Sequence, residues 1–308
     1  MKISIILPVL NEEGNILPIY EKLGNIFSQI GYGYELIFVV DGDSSDRSEE
    51  IITEIADKDK NVRLLVFTRN FGHMTSLIAG FNHCTGDAAI TMDCDLQHPP
   101  ELIPELIKRW QEGYPIVNTI RKDTHQKSIF KKYTSRYFYS IFSWLSEIPL
   151  ESGSADFRLL DRTVVDRINQ IEEQDIFLRG MIHWLGYDHI SVPYTPKDRE
   201  HGNSKYNLKK SLRFAISGIT SFSIKPLKLV TLTGFIISLL TFIYLAFTLY
   251  NALFNEIEVS GWASQMISIL FLGGIQLISI GILGEYIGKI FIETKRRPRY
   301  IIRHKKGF

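Results

Sequence analysis

At 308 residues, with a net charge of +1 and 45% hydrophobic residues, the chain averages like a soluble protein. Its charge is nevertheless segregated: residues 1–204 hold 21 Lys/Arg against 30 Asp/Glu, residues 205–228 hold six basic residues and no acid, and between Leu229 and Gly284 only Glu256 and Glu258 are charged. The last 20 residues carry eight basic side chains against Glu293 alone, a pattern that excludes a wholly soluble enzyme and a disordered or collagen-like chain and, because basic residues flank apolar runs, implies a lipid bilayer and no nucleic acid as partner.

Met1–Leu10 does not read as a signal peptide: its apolar stretch is short, and Asn11-Glu12-Glu13 follows where small residues would mark a cleavage site. Strand-like segments at Ile3–Leu7, Glu35–Val40, Val62–Phe67 and Ala88–Met92 alternate with helical ones at Glu21–Ile30, Ser48–Lys58 and Met74–Cys84. The alternation predicts a parallel sheet covered by helices on both faces, with ligands at the carboxyl ends of the strands. Those ends carry Pro8, Asn11 and Glu12; Asp41 and Asp43; Arg69 and Asn70; and Asp93 and Asp95. No G-x-G-x-x-G and no Walker lysine loop follows any strand, so the dinucleotide and P-loop readings fail. Cys84 and Cys94 lack metal or redox spacing and read as buried thiols of a reducing compartment.

Two later segments, Ser128–Ile148 and Asn207–Lys228, have amphipathic spacing. The second is basic and precedes an apolar run, so it reads as an interfacial helix on anionic lipid. Leu229–Asn255 and Val259–Gly284 are uncharged apart from their junction and run 27 and 26 residues, beyond the ~20 that a helix needs to cross the hydrocarbon core. The acidic link and basic outer flanks place the link outside and both termini in the cytoplasm. The predicted organisation is a cytoplasmic catalytic domain over 1–204, a basic interfacial segment over 205–228, two spans within 229–288 (about 229–251 and 260–284) and a basic tail over 289–308.

The most informative stretch is Asp93-Cys94-Asp95-Leu96-Gln97-His98, directly after the fourth strand. Two carboxylates and an amide oxygen on a strand-end turn are hard oxygen ligands, suited to Mg²⁺ or Mn²⁺ held largely through a substrate's phosphates. Cys94 is too soft for that ion and alternates away from it. A D-x-D is common on surface turns; its position in an α/β unit gives it weight.

The segments S-I-I-L-P-V-L-N-E-E (4–13), R-N-F-G (69–72), M-D-C-D-L-Q-H-P-P-E-L-I-P (92–104), D-F-R-L-L-D-R (156–162), R-G-M-I-H-W-L-G (179–186) and R-E-H-G-N-S-K-Y (199–206) carry a resemblance. With the C-terminal hairpin, the chain resembles family 2 glycosyltransferases of GT-A fold, in the branch that moves a sugar from a nucleotide onto a polyprenyl phosphate. That branch includes dolichyl-phosphate mannose synthases and undecaprenyl-phosphate glucosyltransferases. The resemblance implies a Rossmann-like α/β nucleotide-sugar domain followed by a two-helix transmembrane hairpin. It also implies inverting transfer, with UDP-glucose the leading donor and polyprenyl phosphate the acceptor, by a homo-oligomer of the inner (plasma) membrane that serves cell-surface glycan modification. It assigns Pro8, Leu10, Glu12 and Asp41 to the base and ribose, and Asp93, Asp95 and Gln97 to the metal bridging the diphosphate. Arg121, Arg199 and Lys205 are assigned to the donor diphosphate and lipid phosphate, and Asp156 to the anomeric carbon, either as the proposed base or as a group that positions the acceptor. Taken singly, each also fits a structural role, such as strand terminator for Pro8 or cap for Asp156.

There are departures. The family's D-D-G-S-x-D reads here Asp41-Gly42-Asp43-Ser44-Ser45-Asp46, which makes Asp43 a second candidate for the base or ribose. His98 and His73 stand where an aspartate and a lysine are common, and read as satisfied loop histidines. A processive polysaccharide synthase of the same fold would carry Q-x-x-R-W and more spans; a non-catalytic scaffold is disfavoured by intact Asp93, Asp95, Gln97 and Asp156.

Overall fold

The computed structural model describes residues 1–122, 145, 153–195, 218–254 and 261–308. Strands β1 (Lys2–Val9), β2 (Gly33–Val40), β3 (Val62–Phe67) and β4 (Ala88–Thr91) pair in parallel, as the apolar runs predict, with Ile5 opposite both Leu36 and Ile90. Helices α1 (Glu13–Ile30), α2 (Ser48–Lys58), α3 (His73–His83) and α4 (Ile103–Gln111) connect or follow them. The α1 helix begins at Glu13 rather than Glu21, although Pro18 lies inside it. Burial of Ile16, Ile19, Leu23 and Phe27 along one face outweighs the poor local propensity.

Beyond these strands the sheet is mixed. Its order is β7-β5-β6-β4-β1-β2-β3-β8, with β5 at Ile116–Arg121, β6 at Ser154–Asp161, β7 at His189–Tyr194 and β8 at Ile302–Lys306. Strands β6 and β8 run antiparallel to their neighbours, while β7 pairs parallel to β5. Helices α5 (Arg162–Gln170) and α6 (Leu178–Trp184) separate β6 from β7. Two apolar layers cover the sheet: Ile5, Leu7, Phe27 and Leu106 on one side, Ile6, Phe67, Phe81 and Ile182 on the other.

After this domain come α7 (Lys225–Phe254) and α8 (Trp262–Thr294), roughly 45 and 50 Å long at 1.5 Å per residue. Apolar windows over Lys225–Thr248 and Ser264–Thr294 suffice to cross a bilayer, and Phe235 and Leu277 are about two-thirds exposed or more. A helix apolar all round suits lipid. The α8 helix continues ten residues past Gly284 and meets the N-terminal domain: Lys289 Nζ lies 2.9 Å from Asp175 and Glu293 accepts the Gln174 N–H at 2.8 Å, while five residues past the helix end the Arg299 guanidinium donates to the Ile171 carbonyl. The last residues then return to the sheet as β8, where the sequence predicts only a basic tail. Phe308 sits under the Arg63 guanidinium and Tyr300 stacks on Phe67.

Candidate active site

The carboxyl ends of β1, β2 and β4 meet at a cleft of about 390 Å³ whose lining includes Pro8, Leu10, Glu12, Asp41, His73, Asp93 and Asp95. The loops after β1 and β2 are tied together. Asn11 takes the left-handed conformation (φ 58°), one that asparagine tolerates, and its side chain accepts the Ser45 N–H at 2.8 Å. Asp46 accepts the N–H groups of Glu13 and Ser48 at 2.9 and 3.1 Å.

Asp41 and Asp43 sit differently in this loop. Asp41 is buried against the cleft, and that burial raises its pKa. Asp43 is exposed and outside the lining; its N–H donates to Asp41 Oδ1 at 3.2 Å. Gly42 between them has a steric cause, since a Cβ there would lie 2.3 Å from the Arg69 nitrogen.

After β4 the chain turns sharply. Leu96 has φ 57°, a conformation that costs a bulky residue about 1–3 kcal/mol, and this turn presents Asp95 to the cleft. Gln97 lies outside the lining and supports Asp95 through its N–H, which donates to Asp95 Oδ1 at 3.1 Å. Cys94 is buried, as expected, and burial pushes its thiol well up. His98 is the satisfied loop histidine the sequence predicts: its Nδ1 accepts the Asp93 N–H at 3.0 Å and its ring stacks on Phe157. His73 is not. Its Nε2 lies 2.8 Å from Asp93 Oδ1 at the cleft wall, and although burial opposes it, that contact raises its pKa.

Asp156, on β6, sits beyond the end of β4, where Thr91 Oγ1 donates to its carbonyl at 2.5 Å. Arg179 on α6 grips both carboxylate oxygens at 2.9 Å, and Arg158 adds a contact at 3.2 Å. Burial works against its charge, but the two guanidiniums and His73 hold the carboxyl well below the ordinary carboxylate range. Arg158 is fully buried, and desolvation lowers it to about 10. Arg121 is exposed at the end of β5, outside the lining, and pairs in register with Tyr194. Burial pushes the Tyr194 hydroxyl up to about 12. Neither Arg179 nor Tyr194 is singled out by sequence reasoning, although Arg179 opens one of the quoted motifs. Arg199, Lys205 and most of both amphipathic segments lie outside the described residues.

Among the described residues no three His, Cys, Asp or Glu side chains cluster as a ready-made metal cage. Asp93 and Asp95 nonetheless both face the cleft, and an all-oxygen pair fits a hard cation that takes its remaining ligands from phosphates and water.

The profile described as glycosyl transferase family 2 matches residues 4–168, from β1 through most of α5. The chain belongs to that family. A second profile, the GtrB C-terminal hairpin, matches residues 225–290, which marks a membrane-associated glycosyltransferase. The bactoprenol glucosyl transferase of Shigella phage SfX is 42% identical over 307 residues, covering 99% of this chain and all of that one. An Escherichia coli prophage bactoprenol glucosyl transferase homolog matches equally, at 42% over 99% of this chain and 100% of its own. The uncharacterized glycosyltransferase YkcC of Bacillus subtilis is 41% identical, covering 99% of this chain and 94% of its own. Among solved structures, glucosyl-3-phosphoglycerate synthase of Mycobacterium tuberculosis aligns with a TM-score of 0.47 at 19% identity, over 71% of this chain and 77% of that one. The family profile includes Asp41, Asp93, Asp95 and Asp156 but stops before Arg179.

Proposed function

We propose that this glycosyltransferase moves a glucosyl unit from a nucleotide sugar, UDP-glucose foremost, onto a polyprenyl phosphate with inversion at the anomeric carbon. The observation that carries the reading is the Asp93/Asp95 cleft in a domain fastened to its apolar hairpin through Lys289 and Glu293. The full-length likeness to bactoprenol glucosyl transferases supports the sugar and the lipid.

Pro8, Leu10, Glu12 and Asp41 hold the base and ribose at the ends of β1 and β2. Asp93 and Asp95 would hold a Mg²⁺ or Mn²⁺ ion, which when bound supplies positive charge to the departing diphosphate. The acceptor phosphate, with a second pKa near 6, is largely ionised at neutral pH, so the protein's work is to align it with the anomeric carbon and exclude water. Arg121, Arg199 and Lys205 contribute positive charge toward the lipid phosphate. The hairpin crosses the plasma membrane twice, with the catalytic domain and both termini in the cytoplasm. The return of β8 to the sheet supports this, because it places the C-terminal strand in the same domain as β1.

The test is to incubate membranes containing the chain with a panel of radiolabelled nucleotide sugars and extract the lipid. Label should enter the lipid from UDP-glucose and require Mg²⁺ or Mn²⁺. Label from another sugar alone would replace the donor, and none from any would overturn the reading.

A further inference from the structure

We infer that His73 is a positioning residue for the candidate metal site: its imidazole holds one oxygen of Asp93 so that the other is presented to the divalent ion. The inference rests on the proposed ion at Asp93 and Asp95.

His73 and Asp93 both line the cleft. A carboxylate only accepts hydrogen bonds, so the 2.8 Å contact between His73 Nε2 and Asp93 Oδ1 makes the imidazole the donor, whether it is neutral or charged. With its proton on Nε2 and aimed at Asp93, that nitrogen has no lone pair for a metal. His73 is therefore a partner of the ligand and not a ligand itself.

A second histidine leaves the other oxygen open. His98 Nδ1 lies 3.7 Å from Asp93 Oδ2, but the same nitrogen accepts the Asp93 N–H at 3.0 Å and so has no proton to give. Burial and stacking on Phe157 keep that ring in place. Among the described residues no hydrogen bond to Oδ2 competes with an incoming cation. The two histidines that stand in place of a common lysine and aspartate thus serve one carboxylate, His73 its side chain and His98 its backbone. Tying one oxygen matters for this class of ion: Mg²⁺ demands near-octahedral geometry, and a hydrogen bond from outside the coordination sphere fixes the direction of the ligand.

His73 is held on a rigid element. It is the first residue of α3, and Gly72 before it takes φ 89°, a conformation open to glycine. Asn70 Oδ1 accepts the Gly72 N–H at 2.9 Å and closes the turn. Farther along α3, Gly80 packs so closely on β1 that a Cβ would lie 2.2 Å from an Ile6 methyl group. The helix carrying His73 is thereby seated on the strand whose end supplies Pro8 and Val9 to the same cleft. With side chains 40% and 38% exposed, the His73–Asp93 pair adds little to stability, which leaves orientation of Asp93 as its task.

The test uses the full-length protein in lipid–detergent micelles with saturating UDP and reads free Mn²⁺ by electron paramagnetic resonance. It compares wild type with His73→Phe, which keeps a ring but no donor, and His73→Gln, which keeps an N–H donor. Asp93→Asn and the double variant His73→Phe/Asp93→Asn complete the set. His73→Phe should weaken Mn²⁺ binding roughly 10–100-fold, the range for losing an outer partner of a metal ligand, with Tm and the metal-free UDP Kd unchanged. His73→Gln should recover most of that loss. The double variant should bind no worse than Asp93→Asn, because His73 acts through Asp93. Unchanged Mn²⁺ binding in His73→Phe would overturn the inference, and so would tighter binding, which would mean that His73 competes with the ion for Asp93. A His73→Gln protein as weak as His73→Phe, or losses that multiply in the double variant, would overturn it too. If His73→Phe does not fold, His73→Ala takes its place. Wild type that binds no Mn²⁺ with UDP present would instead overturn the metal site of the proposed function, and the inference with it.

Discussion

Two carboxylates, the buried Glu35 and the partly buried Asp156, are each gripped by two cations, yet they sit at opposite ends of the sheet. Glu35 lies near the amino end of β2. It meets Lys2 at 2.6 Å and Arg63 at 3.1 Å, and it accepts from Ser4 Oγ and the Thr85 N–H at 2.6 Å each. Burial alone would raise its pKa, but Lys2, Ser4 and Thr85 overcome that and hold it at about 2. Every partner belongs to the start of a parallel strand or the turn just before one, and none lines the cleft. Asp156 has the same chemistry at the carboxyl end of β4, where Thr91 donates to its carbonyl. The ion-pair motif alone does not distinguish structure from function; its end of the sheet does.

The largest break in that comparison is expected from the other carboxylates at the functional end. Asp95→Ala should cut turnover by about 10³-fold or more, the scale of several kcal/mol of charge stabilisation, while leaving Tm and circular dichroism unchanged. Glu35→Gln should do the reverse, costing about 3 kcal/mol of stability as a buried pair loses one partner, with kcat of the folded fraction intact. Glu35 also has a pH signature. Its folded pKa is depressed from 4.5 to about 2, so its stabilisation is fully present above pH 4.5 and is lost as pH falls toward 2. Acid unfolding followed by fluorescence should show that limb, and Glu35→Gln should flatten it.

Smaller effects sharpen the picture. Gly42→Ala forces a Cβ against the Arg69 backbone and should cost about 1–3 kcal/mol, weakening UDP binding in calorimetry because Asp41 moves. Lys289→Ala removes a partly exposed ion pair to Asp175. It should lower kcat only about 2–5-fold, in line with less than about 1 kcal/mol for such pairs, and leave UDP affinity unchanged.

The parallel core was legible because strands buried on both faces are continuous apolar runs, which is how Leu36–Val40 and Leu64–Phe67 stand out. The β6 strand was not, because Asp156, Arg158 and Asp161 interrupt it with charges whose partners the local pattern does not show. The β8 strand, I-R-H-K-K, reads as a basic tail; its pairing depends on the open edge of β3 and on Glu49 and Asp57, which receive Arg303 and Lys306. At the site, D-x-D and Asp41 were visible as strand-end acids. His73 meets Asp93 across a crossover of 20 residues, and Arg179 meets Asp156 across 23. No local periodicity encodes either contact. The resemblance leaves Asp156 open between base and positioning group, and the two guanidiniums that grip it are contacts no local pattern announces.

The central claim is that the cleft couples cleavage of a nucleotide sugar to glycosylation of a lipid phosphate. The most direct measurement follows purified protein in liposomes, supplied with UDP-[¹⁴C]glucose, Mg²⁺ and polyprenyl phosphate, recording UDP release and organic-phase label together. The account predicts one labelled lipid per UDP released, with both signals vanishing when the polyprenyl phosphate is omitted. UDP release that continues without the lipid, with the label remaining in water as free glucose, would contradict it.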